Sequence, residues 1–330
     1  MVSRCVNIVK WLFSGLLLTV PMAIFGQQLP VYSQYMMNLF LINPAVAGSE
    51  GYTAFNLTAR KQWIGIKEAP VTFAASAQTR ILPNSFISRS NKIRLKSTNS
   101  SRAGRVGVGG YIFTDRNGLT SRTGLQMTYA YHIDIEKSQL SFGLSGTLWQ
   151  FRIDKEAARL LDPSDEFFNS MDNGMFIPDA NIGVLFSNER MYAGLSADQL
   201  FQSSLKFGGM GFDRYKLYRH FYLMGGYNFE LTNNIIMEPS VLFKATHNLT
   251  VQMDLTAKAF FYNNYWAGIS FRTGTALVLM GGMNVDKFYF GYAIDFPLNS
   301  LMRNSYGSHE IIIAVKLGDN ARRYKWLHRF

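Results

Sequence analysis

The stretch Lys287-Phe-Tyr-Phe-Gly-Tyr-Ala-Ile-Asp-Phe296 alternates with a period of two. One face carries Phe288, Phe290, Tyr292, Ile294 and Phe296; the other carries Lys287, Tyr289, Gly291, Ala293 and Asp295. Successive side chains of an extended strand point to opposite faces, so these residues read as a strand with one apolar and one polar side. Leu249 to Phe260 repeats the pattern, with Leu249, Val251, Met253, Leu255, Ala257 and Ala259 against Thr250, Gln252, Asp254, Thr256 and Lys258. Leu140 to Trp149 sets Leu140, Phe142, Leu144 and Leu148 against Ser141, Ser145 and Thr147, and near the end Ile311, Ile313, Val315 and Leu317 alternate with Glu310 and Lys316.

Extended along the chain, the same template predicts strands near 52–60, 70–80, 104–115, 121–134, 138–150, 178–187, 189–198, 217–231, 234–246, 248–262, 265–273, 275–285, 287–297 and 309–318. That is an all-β chain of about 14 antiparallel strands of roughly ten residues, an even number, as transmembrane barrels of the outer membrane require. A soluble β-sandwich is the competing fold. Its outward positions would be rich in Lys, Glu and Thr, whereas the polar faces here hold Gly, Ser, Thr, Gln and scattered charges, which suits a wet lumen. Aromatics gather at strand ends (Tyr129, Tyr131, Trp149, Phe151, Tyr222, Tyr227, Phe229, Phe261, Tyr262, Tyr265 and Trp266), where a barrel carries its interfacial girdle.

Composition agrees. The 330 residues are 48% hydrophobic and 15% aromatic, enough to offset the entropy of ordering, so the chain is not disordered. Charged residues make up 17%, sparse against the roughly 25% of soluble domains. With Cys5 as the one cysteine, a disulfide scaffold or a Cys-rich metal site is excluded.

Residues 1–26 read as a signal peptide: Arg4 and Lys10, then the apolar run Trp11 to Gly26, then Gln27-Gln28. The run is shorter than the roughly 20 residues of a membrane-spanning helix and contains Pro21, which disfavours a retained anchor. Cys5 precedes it and cannot be the lipidated cysteine of a lipoprotein. Loss of Arg4 and Lys10 takes the net charge from +11 to +9. The expected division is 1–26 signal peptide, 27–51 lead-in, 52–318 barrel and 319–330 basic tail.

Loop lengths supply an independent check. With the chain entering from the periplasm, connections after even-numbered strands are periplasmic turns and should be short. They come out as Ile135–Lys137, Ser187–Asn188, Thr232–Asn233, Asn263–Asn264 and Asp286, while 151–177, 199–216 and 298–308 fall outside. Residues 81–103 break the rule, and they are basic: Arg89, Lys92, Arg94, Lys96 and Arg102 lie there, with no acid between Glu68 and Asp115. Arg322, Arg323, Lys325 and Arg329 make the tail basic too. Two readings stand for these charges, a solvated segment or a docking face for an acidic periplasmic partner drawn by long-range attraction. Secretion argues against nucleic acid as that partner.

Ordered short motifs then carry a resemblance. Tyr32-Ser33-Gln34-Tyr35-Met36, Asn43-Pro44-Ala45 and Ala47-Gly48 open the mature chain, followed by Arg60-Lys61-Gln62-Trp63-Ile64-Gly65 and Ala69-Pro70-Val71-Thr72. Pro178-Asp179, Tyr192-Ala193-Gly194-Leu195-Ser196, His220, Gly226-Tyr227, Pro239-Ser240, Tyr265-Trp266-Ala267-Gly268 and Gly307-Ser308-His309-Glu310-Ile311 follow in order. The series resembles the PorP/SprF membrane proteins of Bacteroidetes across essentially the whole mature chain, with Gln34, Asn43, Pro44, Trp63, Gly65, Asp179, Gly307, His309 and Glu310 as motif residues. Two departures are the longer basic 81–103 stretch and the continuation past the usual C-terminal strand. The resemblance implies an outer-membrane barrel of the type IX secretion and gliding machinery. It further implies association with the periplasmic ring lipoprotein and its partner (PorK/PorN or GldK/GldN) and support for export or surface attachment of a large adhesin. A general role and a cargo-dedicated one both fit.

For Tyr32 to Gly51 two readings stay open. The segment plugs the lumen or lines its mouth, since Asn43-Pro44 ends regular structure and Ala45, Ala47 and Gly48 permit close approach, or it is an irregular lead-in to the first strand. His309 and Glu310 begin the last strand, and a cross-strand pairing is the simpler reading there. Catalysis has little support. His132, His220, His247, His309 and His328 are scattered, outside any H-E-x-x-H or G-x-S-x-G setting, and Gly109-Gly110, Gly225-Gly226 and Gly281-Gly282 lack a phosphate-binding pattern. The expectation is no catalytic residue, no cofactor and no metal. A passive porin or hydrophobic-solute channel is the alternative to a secretion component, and a barrel hydrolase the third.

Overall fold

The computed structural model describes residues 32–81, 105–154, 174–202, 204–205, 215–248, 250–262 and 264–317, apart from the side chains of 175, 204, 205, 215 and 216. Fourteen strands form the wall. They are β1 (Thr53–Lys61), β2 (Val71–Ile81), β3 (Val106–Asn117), β4 (Thr120–Ile135), β5 (Ser138–Ile153), β6 (Met175–Asn188) and β7 (Met191–Asp198). There follow β8 (His220–Tyr227, carried on by Phe229–Thr232), β9 (Ile235–Thr246), β10 (Val251–Phe261), β11 (Tyr265–Arg272), β12 (Ala276–Val285), β13 (Phe288–Pro297) and β14 (Ser308–Leu317). Each pairs antiparallel with its sequence neighbours, and β14 returns to β1 in the register Thr53↔Leu317 to Lys61↔His309. Closure leaves no wall strand with an unpaired edge, which is what lets strands cross hydrocarbon. Among the described residues no helix is long and apolar enough to cross a membrane.

The fourteen strands follow the sequence reading in number and order, with ends that shift by up to three residues. β6 begins at Met175, three residues before the expected start at 178, because Met175 and Phe176 extend the ladder with Phe151 and Gln150. β8 is interrupted at Asn228, whose N–H donates to Arg190 O at 2.6 Å while both parts of the strand pair with β9.

The two faces separate as the period of two requires. Phe288, Phe290, Tyr292 and Ile311 are exposed on the outside; Gly291, Ala293, Asp295 and Glu310 are buried inside. The aromatic assignment needs correction. Tyr129, Tyr227, Phe229, Phe261, Tyr262 and Tyr265 do face outward, but Trp149, Phe151, Tyr222 and Trp266 are buried and point into the lumen. Strand parity decides this: Trp149 shares its face with Ser145 and Thr147, and Tyr222 shares its face with His220 and Met224.

Connections sort to two rims. At one, tight turns join β4 to β5, β6 to β7, β8 to β9, β10 to β11 and β12 to β13; here the chain also enters β1 and leaves β14. The connections 62–70 and 298–307 occupy the opposite rim, where β5 and β7 end and β6 and β8 begin. Inside the ring lie residues 32–50, coiled through three short 3-10 turns, Tyr35–Met37, Leu39–Leu41 and Pro44–Val46. Tyr35, Phe40, Ala45, Val46 and Ala47 are each 4% exposed or less, so the core of the molecule is this segment against the inner wall.

Candidate functional site: the lumenal segment and its seat

The segment enters the described structure near the loop rim. Glu310, the third residue of β14, accepts the backbone N–H of Ser33 at 2.7 Å with one oxygen and that of Gln34 at 2.8 Å with the other. The Gln34 side-chain amide donates back to Glu310 O at 3.2 Å. Directly across the β1–β14 register, Arg60 reaches Glu310 at 3.2 Å and Asp295 of β13 at 2.7 Å. The Ser33 hydroxyl accepts from Arg60 and donates to Asp295, both at 2.7 Å. Arg272 of β11 joins Asp295 at 3.2 Å to Asp254 of β10 at 3.3 Å, and Lys244 of β9 completes the chain on Asp254 at 3.3 Å. Three cations thus meet three carboxylates. Such an array is tolerated away from water only when the charges are matched and hydrogen-bonded, and Ser33 and Gln34 are part of the matching.

Further down, the segment lies against glycines. A Cβ on Gly143 of β5 would stand 2.2 Å from Ala45 N, and one on Gly183 of β6 would stand 2.0 Å from Asn43 Oδ1. Both strands can hold the segment this closely only because they carry hydrogen there. Asn43 uses the space fully. Its Oδ1 accepts from Ala45 N–H at 2.9 Å, capping the third turn, and its Nδ2 donates to Val184 O at 3.1 Å and Leu195 O at 3.2 Å. Ser196 donates to Ile42 O at 2.8 Å, and Asn38 donates to Ser76 at 2.9 Å. Near the turn rim His132 Nε2 donates to Ala47 O at 2.9 Å, its Nδ1 lying 2.8 Å from the Ser141 hydroxyl. Burial pushes the Tyr35 phenol up to about 12 and raises that of Tyr32 as well, so both remain neutral hydroxyls in the lumen.

The motif residues fall into groups. Gln34, Asn43, Pro44 and Glu310 belong to the segment and its seat. Trp63, Gly65 and Gly307 join two connections at the loop rim: Ile64 N–H donates to Gly307 O at 2.8 Å, Tyr306 N–H to Ile64 O at 2.7 Å, and Trp63 N–H to the Ser308 hydroxyl at 3.2 Å. Gly307 has φ 84°, and a Cβ there would meet Asp295 O at 2.6 Å. Asp179 accepts the N–H groups of Ala180 and Phe201, at 2.7 and 3.0 Å, and so fastens the start of the β7–β8 connection. His309 faces outward, paired with the Tyr292 hydroxyl and 3.2 Å from Tyr306 O. Arg89, Lys92, Arg94, Lys96, Arg102, Arg322, Arg323 and Lys325 lie outside the described residues.

Sequence reasoning did not single out Asp295, Arg272, Asp254 and Lys244 as a set. Asp295 and Asp254 appeared there only as polar-face residues. Their signal was present, because an ionisable residue on the lumenal face of a strand needs a partner of opposite sign, but only the register shows which one.

Three comparisons place the chain. Residues 24–315 match the family model described as type IX secretion system membrane protein PorP/SprF. No curated protein matches. Among solved structures, the toluene transporter TbuX of Ralstonia pickettii is 11% identical with a TM-score of 0.47, covering 86% of this chain and 92% of that one. The monoaromatic hydrocarbon channel CymD is 12% identical with a TM-score of 0.47, covering 88% and 94%. The Pseudomonas putida toluene transporter TodX is 10% identical with a TM-score of 0.44, covering 84% and 92%.

Proposed function

The chain belongs to the PorP/SprF family of type IX secretion system membrane proteins and is an outer-membrane β-barrel, and from that premise we propose that it is a non-enzymatic part of the secretion and gliding machinery that works through its rims and not through its lumen. In this reading it anchors the periplasmic ring lipoprotein and its partner, of the PorK/PorN or GldK/GldN type, and supports export or surface attachment of a large adhesin. The observation that carries it is the lumenal segment. A pore needs a continuous aqueous path, and residues 32–50 lie within the ring, held by buried contacts to β2, β7 and β14.

The rims supply a second support. β2 ends at Ile81 and β14 ends at Leu317, and both ends lie at the turn rim, where β14, β1 and β2 are neighbours. The basic residues of 82–104 and of 318–330 follow these two strand ends in sequence. In this reading, with that rim in the periplasm, these basic residues attract an acidic partner by long-range electrostatics.

Two measurements test the proposal. Purified protein in planar bilayers should show no steady conductance, whereas a large stable conductance would move the reading to a porin. Crosslinking in cells should capture the ring lipoprotein, and neutralising Arg89, Lys92, Arg94 and Lys96 together should reduce the capture. Undiminished capture would remove the docking role from this stretch.

A further inference from the structure

Between the lumenal segment and the wall, in the half nearest the loop rim, lies a cavity of about 100 Å³ whose lining reaches Thr246 and Thr250 at the β9–β10 turn. Six rings line it: Tyr32 from the segment, Tyr111 and Phe113 from β3, Trp149 from β5, and His220 and Tyr222 from β8. Tyr111 and Phe113 stack with centroids 5.3 Å apart, Phe113 meets Trp149 edge-on at 5.6 Å, and the Tyr32 and Tyr111 hydroxyls are bonded at 2.6 Å. The rings form a braced wall.

Asp198, the last residue of β7, lines the same cavity and is 9% exposed. Among the described residues no hydrogen bond or ion pair reaches its carboxylate, and the ionised neighbour that acts on it is Asp179, of the same sign. Lys244, the cation lining the cavity, is engaged with Asp254 at 3.3 Å. Two further groups in the lining are buried with no partner among the described residues, the Trp149 indole N–H and the Thr147 hydroxyl. Taking a carboxylate out of water is costly unless a cation meets it, and aromatic faces attract cations. A bare divalent ion is poorly served, since among the described residues no three His, Cys, Asp or Glu side chains come together.

We infer that this cavity binds an organic cation, an alkylammonium or guanidinium group set on the Asp198 carboxylate with its carbon chain against Tyr111, Trp149 and Tyr222. Such a group comes either as a free small amine or as a lysine or arginine side chain of a polypeptide presented at the loop rim. The site is separate from the secretion role and stands or falls without it.

The test is titration of the full mature protein in detergent, followed by tryptophan emission and by calorimetry. The probes are n-butylammonium, N-acetyl-lysine methylamide and the neutral N-acetyl-norleucine methylamide. The lysine derivative should bind saturably and at least about tenfold more tightly than the norleucine analogue, and Asp198→Asn should abolish that difference. Butylammonium binding as tightly as the lysine derivative would identify a small amine, and weaker binding a side chain in a chain; either supports the site. Tyr222→Leu, which keeps the charge and removes one ring, should weaken the lysine derivative about fivefold and serves if Asp198→Asn does not fold. Equal affinity for the charged and neutral probes, or unchanged binding in a folded Asp198→Asn protein, would overturn the inference.

Discussion

In the half of the lumen nearest the loop rim, the arc from β9 round to β1 and the arc from β3 to β8 are lined in contrasting ways. On the first, Lys244, Asp254, Arg272, Asp295, Glu310 and Arg60 stand on β9, β10, β11, β13, β14 and β1 with every carboxylate touching a cation, and Ser33 and Gln34 lie on the carboxylates. On the second, Tyr111, Phe113, Trp149 and Tyr222 stand around a cavity, with Asp198 unmatched among the described residues. Both arcs belong to one continuous sheet with the same inside–outside parity. The difference follows from where the segment rests. Where its backbone touches the wall, its N–H groups complete a polar array; where it does not, polar groups and rings are left facing space. A closed barrel is therefore a uniform frame whose lining is specialised residue by residue.

The sharpest way to break the comparison is to remove a charge from the matched arc. Glu310→Ala strips the acceptor from Ser33 and Gln34 and leaves Arg60 short of a partner, and should cost about 3–5 kcal/mol in urea unfolding from detergent micelles. It should also loosen the segment enough for conductance to appear in planar bilayers. Unchanged unfolding would mean that the array does not hold the segment.

A smaller effect is expected at the seat. Gly143→Val places a side chain on Ala45 and should cost about 1–3 kcal/mol by overpacking, whereas Gly146→Val, three residues along the same strand with nothing within 4 Å, should be neutral. Equal effects would show that strand propensity and not the seat is being measured. Asn43→Ala removes a cap and two donors to the wall and should cost about 1 kcal/mol by the same unfolding measurement. Asp198→Asn should change stability least, within about 0.5 kcal/mol and in the stabilising direction, because the charge it removes has no partner among the described residues to lose. A loss comparable to that of Glu310→Ala would show that Asp198 is matched after all and would erase the contrast between the arcs.

Much of the fold was legible in the residues. Phe288 to Phe296 and Ile311 to Leu317 place their apolar side outward because a strand in lipid must show hydrocarbon on one face, and that demand is local, repeating every second residue. The four buried aromatics were not legible as such. Trp149, Phe151, Tyr222 and Trp266 have the residue type of an interfacial girdle, and only their phase relative to neighbours such as Thr147 and His220 reveals that they point inward. Of the candidate site, Gln34, Asn43 and Glu310 stood out as motif residues, but Gln34 meets Glu310 across 276 residues of sequence and Asn43 meets Val184 and Leu195 across 141 and 152, and no local pattern encodes such contacts.

Alternation, spacing and loop parity were enough to give a closed antiparallel wall, its strand number and the direction of its faces, because hydrocarbon outside and polar groups inside impose a period that each strand satisfies alone. Which carboxylate meets which guanidinium, why Gly143 and Gly183 carry no side chain, and where Tyr32 to Glu50 lie were decided only when the wall closed. Those contacts depend on strands far apart in the chain arriving at one depth around one axis, and the ring itself brings them there.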